Sequence, residues 1–430
     1  MLNDAVKSVW ALFVGIAILM VGNGLQGSLL GIRAGIEGFD TATIGLVMSG
    51  YYLGFFFSSI ITPRLVSRVG HIRVFAAYAS LASTSILVHT LVPSPAVWML
   101  LRVITGLAIA GLYVVCESWL NQTATNESRG KLFSIYMMIV SGFMALGQFV
   151  LPLADPAGPA LFIFVSIMVS LALIPIALFD TPAPSIVQFE TMSVRDIYRI
   201  SPLGVVACFM CGIAQGGFFS LGPVFAAAVG LKTSGIALFM SLPFVGLLLI
   251  QYPVGALSDR IDRRRVITLC AAVAAAAAGG LTVPAAIGGV TMFVLFVIYG
   301  AFASVLYGLA VAHANDHVPN EKVLPASAML VLTYAVGSFF GPIVGGYGMS
   351  VMGPQTLFLI GAVIHVAVAI FALYRMTRRP TVPEGERTEY VPIAIRTTPI
   401  AAAAAIEGAY EAAELADGAD AGTKNPEHAD

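Results

Sequence analysis

The sequence predicts an all-α integral membrane protein with twelve transmembrane helices arranged as two six-helix halves. Three observations lead to this prediction. The 430 residues are 58% hydrophobic and only 10% charged, whereas soluble domains are about a quarter charged. The chain contains twelve apolar runs of the length that an α-helix needs to cross the hydrocarbon core, about 20 residues. Finally, the second half of the chain repeats features of the first.

Each apolar run is expected to be helical, because backbone polar groups cannot stay unpaired in lipid. The first run begins like a signal peptide, but it continues past residue 30 without a clean cleavage site, so we interpret it as a spanning helix. The predicted spans are residues 8–32, 43–63, 74–92, 97–117, 132–153, 159–179, 203–226, 235–255, 266–284, 289–312, 325–347 and 355–375.

Basic residues are distributed unevenly between the loops. The N-terminus, the even-numbered loops and the C-terminal tail hold 19 of the 22 lysines and arginines. The odd-numbered loops hold two, Arg33 and Lys232, and Arg102 falls within span four. Because cytoplasmic loops are enriched in basic residues, we expect both termini to lie in the cytoplasm. The protein is expected in the plasma membrane, which is the inner membrane if the source is a Gram-negative bacterium.

A dense charge cluster, VGALSDRIDRRRV at 254–266, has a counterpart at 62–74, TPRLVSRVGHIRV. Both halves begin on the same side of the membrane, so the repeat is parallel, with its axis along the membrane normal. Transporters built in this way bind substrate near the midplane between their halves and expose it to each side in turn. At offsets of 192 or 194 residues the aligned polar pairs include Arg68 with Arg260, Arg73 with Arg265, Tyr113 with Tyr307 and Asn121 with Asn315.

The chain is predicted to divide into four parts: an N-terminal half (1–179), a cytoplasmic linker (180–202), a C-terminal half (203–376) and a tail (377–430). Residues 1–379 hold 19 basic and 13 acidic side chains, whereas residues 380–430 hold 3 and 10. The tail contains the low-complexity run AAAAAIEGAYEAAELADGADAG. Such an acidic, alanine-rich composition favours a disordered or transiently helical segment in water.

Over residues 8–376 the chain resembles the major facilitator superfamily. The loop GALSDRIDRRR resembles motif A of that family, with Asp262 where a second glycine is usual. In span four, RVITGLAIAG resembles motif B, with Arg102 and Gly106 in place and Thr105 where glutamine is common. The stretches ESWLNQTATNESRGKL, ALGQF and LTYAVGSFFGP are most similar to the YcaD-type branch. The resemblance implies a secondary transporter of the plasma membrane, without a firm substrate.

The chain departs from the family pattern in two places. In the first-half copy of motif A, Ser67 replaces the aspartate, while Arg68 and Gly70 remain. GSFFGPIVGG in span eleven resembles motif C, an antiporter signature that is usual in span five, but span five here has Gln148 in place of the motif's proline. The second departure argues against a standard drug antiporter.

Arg102 is the strongest single indication of a binding site. An arginine at the centre of a spanning helix costs about 2.5–3.5 kcal/mol on insertion scales, and somewhat less near an interface. It either lines a cavity and binds an anionic group, or it reaches the outer surface or backbone carbonyls. The resemblance implies that spans 1, 4, 7 and 10 line the transport path. Amides there could bind a ligand or join helices, and the tyrosines could line the cavity or the interface. The cavity candidates are Asn23, Gln26, Arg102, Thr105, Tyr113, Gln215, Phe219 and Tyr307.

Glu117 ends span four, about 22 Å below Arg102 at 1.5 Å per residue. We favour a cytoplasmic gate in which this carboxylate pairs with Arg68, Arg73 or Arg129. A proton carrier and a plain surface charge are the alternatives. Asp259 should act similarly in the second half, since a carboxylate is stabilised at a helix N-terminus. Arg260, Arg263 and Arg264 are the remaining gate candidates, and a role only as topology signals is the alternative.

The sequence predicts a secondary active transporter of a small organic solute that works by alternating access with protons as coupling ion. A facilitator or uniporter, and a drug-type antiporter, are alternatives; a non-transporting sensor or scaffold on the same fold is the rival from another class. No Walker A, H-E-x-x-H or G-x-S-x-G stretch is present, so enzymatic activity has no support. We expect neither cofactor, metal nor nucleic-acid partner. We expect a monomer in the lipid bilayer.

Overall fold

The computed structural model describes residues 2–178, 192–383, 387–388, 390–391, 398–400 and 402–408. Residues 180–191 of the predicted linker and most of the predicted tail lie outside this set. Fourteen α-helices lie in the described part of residues 2–376: α1 (Leu2–Ile36), α2 (Thr41–Val69), α3 (His71–Leu91), α4 (Pro95–Thr123), α5 (Asn126–Gln148), α6 (Ala160–Leu171), α7 (Leu173–Ala177), α8 (Val194–Ile200), α9 (Pro202–Ala228), α10 (Thr233–Arg260), α11 (Arg263–Gly280), α12 (Val290–Asn315), α13 (Val323–Met352) and α14 (Thr356–Met376).

The predicted spans are confirmed as helices. Eleven segments of the described chain are long and apolar enough to cross a membrane, and α6 and α7 together form one of them. Helix α11 is the twelfth span; it has 18 residues, and its first three are arginines, which lowers its apolar length. It packs along α12 and α14. Several helices, such as α2, α4 and α10, run beyond the apolar stretch, because a helix can continue into water where its polar end is solvated.

Local sequence signals fix the tight connections. Gly70 separates α2 from α3 with a backbone φ of 86°, a conformation that glycine adopts without steric cost. Asp40 precedes α2 and accepts a hydrogen bond from the Thr43 backbone N–H at 2.8 Å. The hydrogen bonds from Thr43 lower the pKa of the Asp40 carboxyl. Asp262 precedes α11 and accepts from the Arg264 backbone N–H at 3.0 Å.

The two halves share one packing pattern. In the first half α1 packs on α5, α2 on α4, and α3 on both α4 and α6. In the second half the equivalent pairs are α9 with α13, α10 with α12, and α11 with both α12 and α14. The same helix pairs therefore meet in both halves, which is the arrangement that the internal repeat predicts.

The arginine distribution defines two ends of the bundle. We call the end where α2 meets α3 and α10 meets α11 the basic end, since Arg68, Arg73 and Arg263 lie there. The opposite end, where α1 meets α2 and α9 meets α10, is the arginine-poor end.

The halves touch directly at the arginine-poor end. There α2 packs on α13, where a Cβ atom on Gly45 would overlap the carbonyl oxygen of Pro342. Likewise α1 packs on α9, where a Cβ on Gly31 would lie 3.2 Å from a methyl group of Val224. Helix α5 also contacts α10. The bundle is therefore closed at the arginine-poor end.

Glycines bring helices into backbone contact within each half. A Cβ on Gly106 of α4 would overlap the carbonyl oxygen of Tyr51, and a Cβ on Gly54 of α2 would overlap that of Val103. In the second half, Gly337 and Gly341 of α13 meet the backbone of α9 in the same way. Small residues that let backbones approach are a principal means of helix association in membranes. The glycines of span eleven thus serve close helix packing.

Replacing Gly106 by valine is expected to destabilise the first half, because the new side chain has to push α2 away from α4. Overpacking of this kind costs about 1–3 kcal/mol or more. The measurement is the midpoint of thermal unfolding in detergent. Gly142→Val is the matched control, since nothing lies within 4 Å of a Cβ at Gly142. An equal loss in both variants would show that the helix propensity of valine, and not the α2–α4 contact, accounts for the effect.

Candidate functional site

Polar side chains of α1 and α4 meet in the interior of the first half. The Asn23 amide nitrogen donates to the Tyr113 hydroxyl at 2.9 Å. That hydroxyl lies 3.1 Å from the sulfur of Met20. Asn23 and Tyr113 are both buried, at 3% and 0% exposure. The two candidates thus form one interhelical contact.

Helices α9 and α12 make the corresponding contact in the second half. The amide nitrogen of Gln215 lies 3.2 Å from the Ser304 hydroxyl, to which it donates. Tyr307 lies one turn further along α12 and packs against Tyr334, with ring centroids 4.5 Å apart. The Tyr307 hydroxyl is buried without a hydrogen-bond partner among the described residues.

Phe219 belongs to an aromatic cluster on α9 and α10. Its ring lies 4.8 Å from Phe218 and 5.4 Å from Phe244, measured between centroids. These rings form an apolar wall next to Gln215 on α9. A polar group and an aromatic wall side by side are typical of small-molecule sites.

Gln26 is the second buried donor without a partner. Its amide nitrogen has no hydrogen-bond partner in the part of the chain that the structure describes, and its side chain is 2% exposed. Two neighbouring groups of α1 are already hydrogen-bonded to Gln148 of α5. The Gln148 amide nitrogen donates to the Gly24 carbonyl at 2.6 Å, and its amide oxygen accepts from the Ser28 hydroxyl at 2.6 Å. Gln148, which stands where motif C has proline, therefore fastens α5 to α1.

Arg102 lies inside the bundle and not at the outer surface. It is 5% exposed, and its guanidinium carbon lies 4.7 Å from the centre of the Tyr51 ring on α2. Such a cation–π contact contributes about 0.5–2 kcal/mol, more when it is desolvated. Thr105 on the same helix face is fully buried and donates back to the Leu101 carbonyl at 2.7 Å.

The polar groups of α1, α4, α9 and α12 can therefore act as a binding surface for a small solute. They offer a buried cation, two unpartnered donors and aromatic walls. Burying a polar group without a partner costs about 1–3 kcal/mol, so a ligand or water that satisfies Gln26 and Tyr307 gains that energy back.

At the basic end, Glu117 of α4 is 1% exposed. Its carboxylate accepts a hydrogen bond from the Tyr136 hydroxyl of α5 at 2.8 Å and another from the Thr398 hydroxyl of the tail. Arg129 lies 3.5 Å from Glu407. The pairing of Glu117 with an arginine of the basic end stays a prediction.

Arg263 organises the basic end of the second half. Its guanidinium contacts Asp259 at 2.7 Å and Asp316 at 3.0 Å, and it donates to the Thr388 carbonyl at 2.6 Å. The side chains of Arg263 and Asp316 are only 1% and 2% exposed. Burial raises the pKa of the Asp316 carboxyl, although Arg263 and Thr388 favour its charged form.

The other gate candidates separate into buried and exposed residues. Arg264 is buried and pairs with Asp262 at 2.7 Å, and it donates to the Arg379 carbonyl beyond α14 at 2.7 Å. Burial would raise the pKa of Asp262, but the bonds and charge of Arg264 outweigh it, and the pKa is lowered. Exposed positions are occupied by Arg68, Arg73 and Arg260.

Sequence reasoning missed several residues of these sites. Tyr51 and Tyr136 were overlooked because tyrosines in apolar spans give no positional signal. Asp316 directly follows α12, and its position beside the charged loop of the repeat could have indicated it. The tail contacts Thr388 and Thr398 had no signal, since they are hydroxyl residues in a low-complexity region.

The histidines and cysteines do not gather into a metal site within the described residues. His89 donates from Nδ1 to the Ser85 carbonyl at 2.7 Å and packs on Trp98. His365 does the same at the Gly361 carbonyl, 2.6 Å away. Both rings therefore serve as packing residues in this structure. The four cysteines are free and buried.

Curated relatives align with almost the whole chain. It is 24% identical over 379 residues to the MFS-type transporter YcaD of Escherichia fergusonii, covering 88% of this chain and 98% of that protein. It is 27% identical over 360 residues to the MFS-type transporter YfkF of Bacillus subtilis, covering 80% and 90%. The resemblance to the YcaD-type branch is confirmed.

Solved structures share the fold at low identity. The nucleoside transporter NupG superposes with a TM-score of 0.70 at 15% identity, covering 86% of this chain and 99% of that one. A D-xylose-proton symporter superposes with a TM-score of 0.67 at 14% identity, covering 88% and 98%. These likenesses establish the architecture.

The profile of the Major Facilitator Superfamily matches residues 12–240 and again residues 204–411. Together with the spanning helices and the relatives from bacteria, this match identifies a multi-pass protein of the plasma membrane. The chain belongs to the Major Facilitator Superfamily.

Proposed function

We propose that the protein is a secondary active transporter that moves a small organic solute through the space between its halves. The observation that supports this most directly is the set of buried polar groups on α1, α4, α9 and α12. Two of them, on Gln26 and Tyr307, are donors without a partner among the described residues. Arg102 adds a buried positive charge. Together these groups favour a polar solute that bears hydrogen-bond acceptors and a negative or partly negative group.

In this proposal the basic end faces the cytoplasm, in line with the enrichment of basic residues on that side. The halves are in contact at the arginine-poor end, so the structure corresponds to the state that is closed to the outside. Transport then requires the halves to rock about the central site.

Proton coupling is the finer part of the proposal. It is supported by structural neighbours described as proton symporters of fucose and D-xylose. Within the spanning helices, Glu117 is the one fully buried carboxylate among the described residues. It is therefore the candidate for a titrating group, although its place near the basic end fits a gate better than a midplane site.

The test is transport by the purified protein in proteoliposomes, screened against polar metabolites and drugs with and without a pH gradient. We expect one solute class to raise the thermal unfolding midpoint and to be taken up. Accumulation that follows the pH gradient supports coupling, whereas equilibration that ignores the gradient indicates a facilitator. Transport of no solute under any gradient would contradict the proposal.

Tyr307→Phe removes only the unpartnered hydroxyl and should raise KM for that solute by about 2- to 10-fold, the value of one neutral hydrogen bond of about 0.5–1.5 kcal/mol. Protein stability should not fall, because no internal bond is lost. The matched control is Tyr347→Phe, whose side chain is 67% exposed on α13. An unchanged KM in both variants would remove Tyr307 from the site.

A further inference from the structure

The described tail residues 398–400 and 402–408 are packed against the bundle at the basic end, in the region where the sequence predicts a solvated tail. Their backbone is helical at 399–400 and 402–408. Most of their side chains are inaccessible: Ala402, Ala403 and Ala404 are 0% exposed, whereas the side chain of Glu407 is 37% exposed. We call residues 398–408 the tail plug.

The tail plug is attached to the first half by polar contacts and by close packing. The Thr398 hydroxyl donates to the Glu117 carboxylate of α4. Further along, Glu407 forms an ion pair with Arg129 of α5 at 3.5 Å. A Cβ on Gly408 would lie 2.9 Å from the backbone nitrogen of Gly130.

The residues that lead to the plug are attached to the second half. The backbone N–H of Thr388 donates to Asp316 at 3.0 Å, and that of Tyr390 donates to Asp259 at 3.0 Å. The Tyr390 side chain packs directly on Gly255 of α10 and Gly308 of α12, because a Cβ on either glycine would overlap it. The described tail residues therefore contact both halves: Thr388 and Tyr390 contact the second half, and residues at 398 and at 407–408 contact the first.

These contacts occupy the end of the bundle that has to close during transport. The halves already touch at the arginine-poor end, so alternating access requires them to approach each other at the basic end. Thr398 and Glu407 are held against α4 and α5, and Tyr390 is held against α10 and α12, so these residues stand in the way of that approach and of the route of a solute to the basic end.

We propose that residues 398–408 are an autoinhibitory plug that holds the transporter open toward the basic end and lowers its rate until the tail leaves. This inference rests on the proposed transport function. The apolar character of the segment supports it, since Glu407 is the one charged residue between 398 and 408. The apolar surface of its alanines is buried when the segment docks. The ion pair of Glu407 with Arg129 also makes docking sensitive to ionic strength.

The test uses the full chain with Ala403→Glu and Ala404→Glu combined, which places two unpaired carboxylates at buried positions and should expel the plug. If the plug occupies the site about nine-tenths of the time, its release raises the transport rate about tenfold. The matched control is Ala419→Glu with Ala421→Glu, outside the described residues, which adds the same charge and should leave the rate unchanged. Wild-type transport with an unchanged or lower rate in the Ala403/Ala404 variant would overturn the plug.

A second variant tests the plug in the opposite direction. A disulfide between Gly130→Cys and Gly408→Cys should hold the segment in place, stop transport under oxidising conditions and restore it on reduction. Undiminished transport by the fully crosslinked protein would overturn the inference. If the wild type, the Ala403/Ala404 variant and the reduced cysteine variant all fail to transport any solute, the proposed transport function is wrong. The plug, which depends on that function, is then wrong as well.

Discussion

Replacing Arg102 by alanine is expected to lower solute transport by about 10- to 100-fold, the value of a lost charge-assisted hydrogen bond of about 1.5–3 kcal/mol. The guanidinium is buried over the Tyr51 ring, where it can attract an anionic group of the solute. The measurement is initial uptake into proteoliposomes. It is combined with the apparent affinity for the solute, which should weaken in parallel.

Stability should change little in the same variant. The cost of an arginine within a spanning helix, about 2.5–3.5 kcal/mol at the centre, opposes its cation–π contact of about 0.5–2 kcal/mol. Removing the side chain therefore removes a cost together with a contact. If Arg102 instead served only as a structural residue, alanine would lower the unfolding midpoint and leave the apparent affinity of the surviving protein unchanged.

Two comparison variants sharpen this test. Arg102→Lys keeps the charge but loses the planar fork, so partial transport is expected. Arg33→Ala removes a cation of the arginine-poor end, which is paired with Glu37 at 2.6 Å, and should leave the apparent affinity unchanged. Normal transport and affinity in Arg102→Ala would exclude a cavity role for this residue.

The helices could be predicted from the sequence because their length and apolar composition leave lipid-spanning chains no alternative. The repeat could be predicted from charged and aromatic pairs, and the packing of α1 on α5 and α9 on α13 bears it out. Arg102 was found because an arginine in a spanning helix is costly. Its contact with Tyr51 was not predicted, because the register of α2 against α4 depends on the fit of Gly54 and Gly106.

The polar site could be predicted only in part. Residue types and wheel positions indicated Asn23 and Gln215, but not that each is already bonded to a neighbouring helix. They could not show that Gln26 and Tyr307 keep free donors, since that depends on which neighbours lie within 3.5 Å.

The tail shows how averaging over composition hides a local signal. Ten acidic residues within 380–430 give the whole segment a solvated character, yet residues 398–406 contain none. Burial of Thr398 against Glu117 joins positions 281 residues apart in the chain. A contact of such separation is decided by tertiary packing and leaves no periodic pattern.

Replacing Asp316 by alanine is expected to lower the free energy of unfolding by about 3–5 kcal/mol, because it leaves the guanidinium of Arg263 buried without its buried partner. The side chain of Arg263 is 1% exposed, and Asp259 compensates only partly, since it is 34% exposed and bonds a single nitrogen. The measurement is the thermal unfolding midpoint in detergent, which should fall by several degrees. Glu37→Ala is the control: its pair with Arg33 is more exposed, and such pairs contribute about 0–1 kcal/mol.

The double variant Arg263→Met with Asp316→Leu separates charge from packing. Replacing a buried ion pair by apolar residues of similar volume is often neutral or stabilising, so most of the lost stability should return. Thr388 would still lose its acceptor on Asp316, and the tail would be held less firmly in both variants. If both variants transport faster but only Asp316→Ala is unstable, the ion pair of Arg263 and Asp316 has two separable effects. It stabilises the folded basic end, and it retains the tail. Equal instability in both would instead show that the methylene stem of Arg263 and the tail contacts stabilise this end, and that the ion pair contributes little.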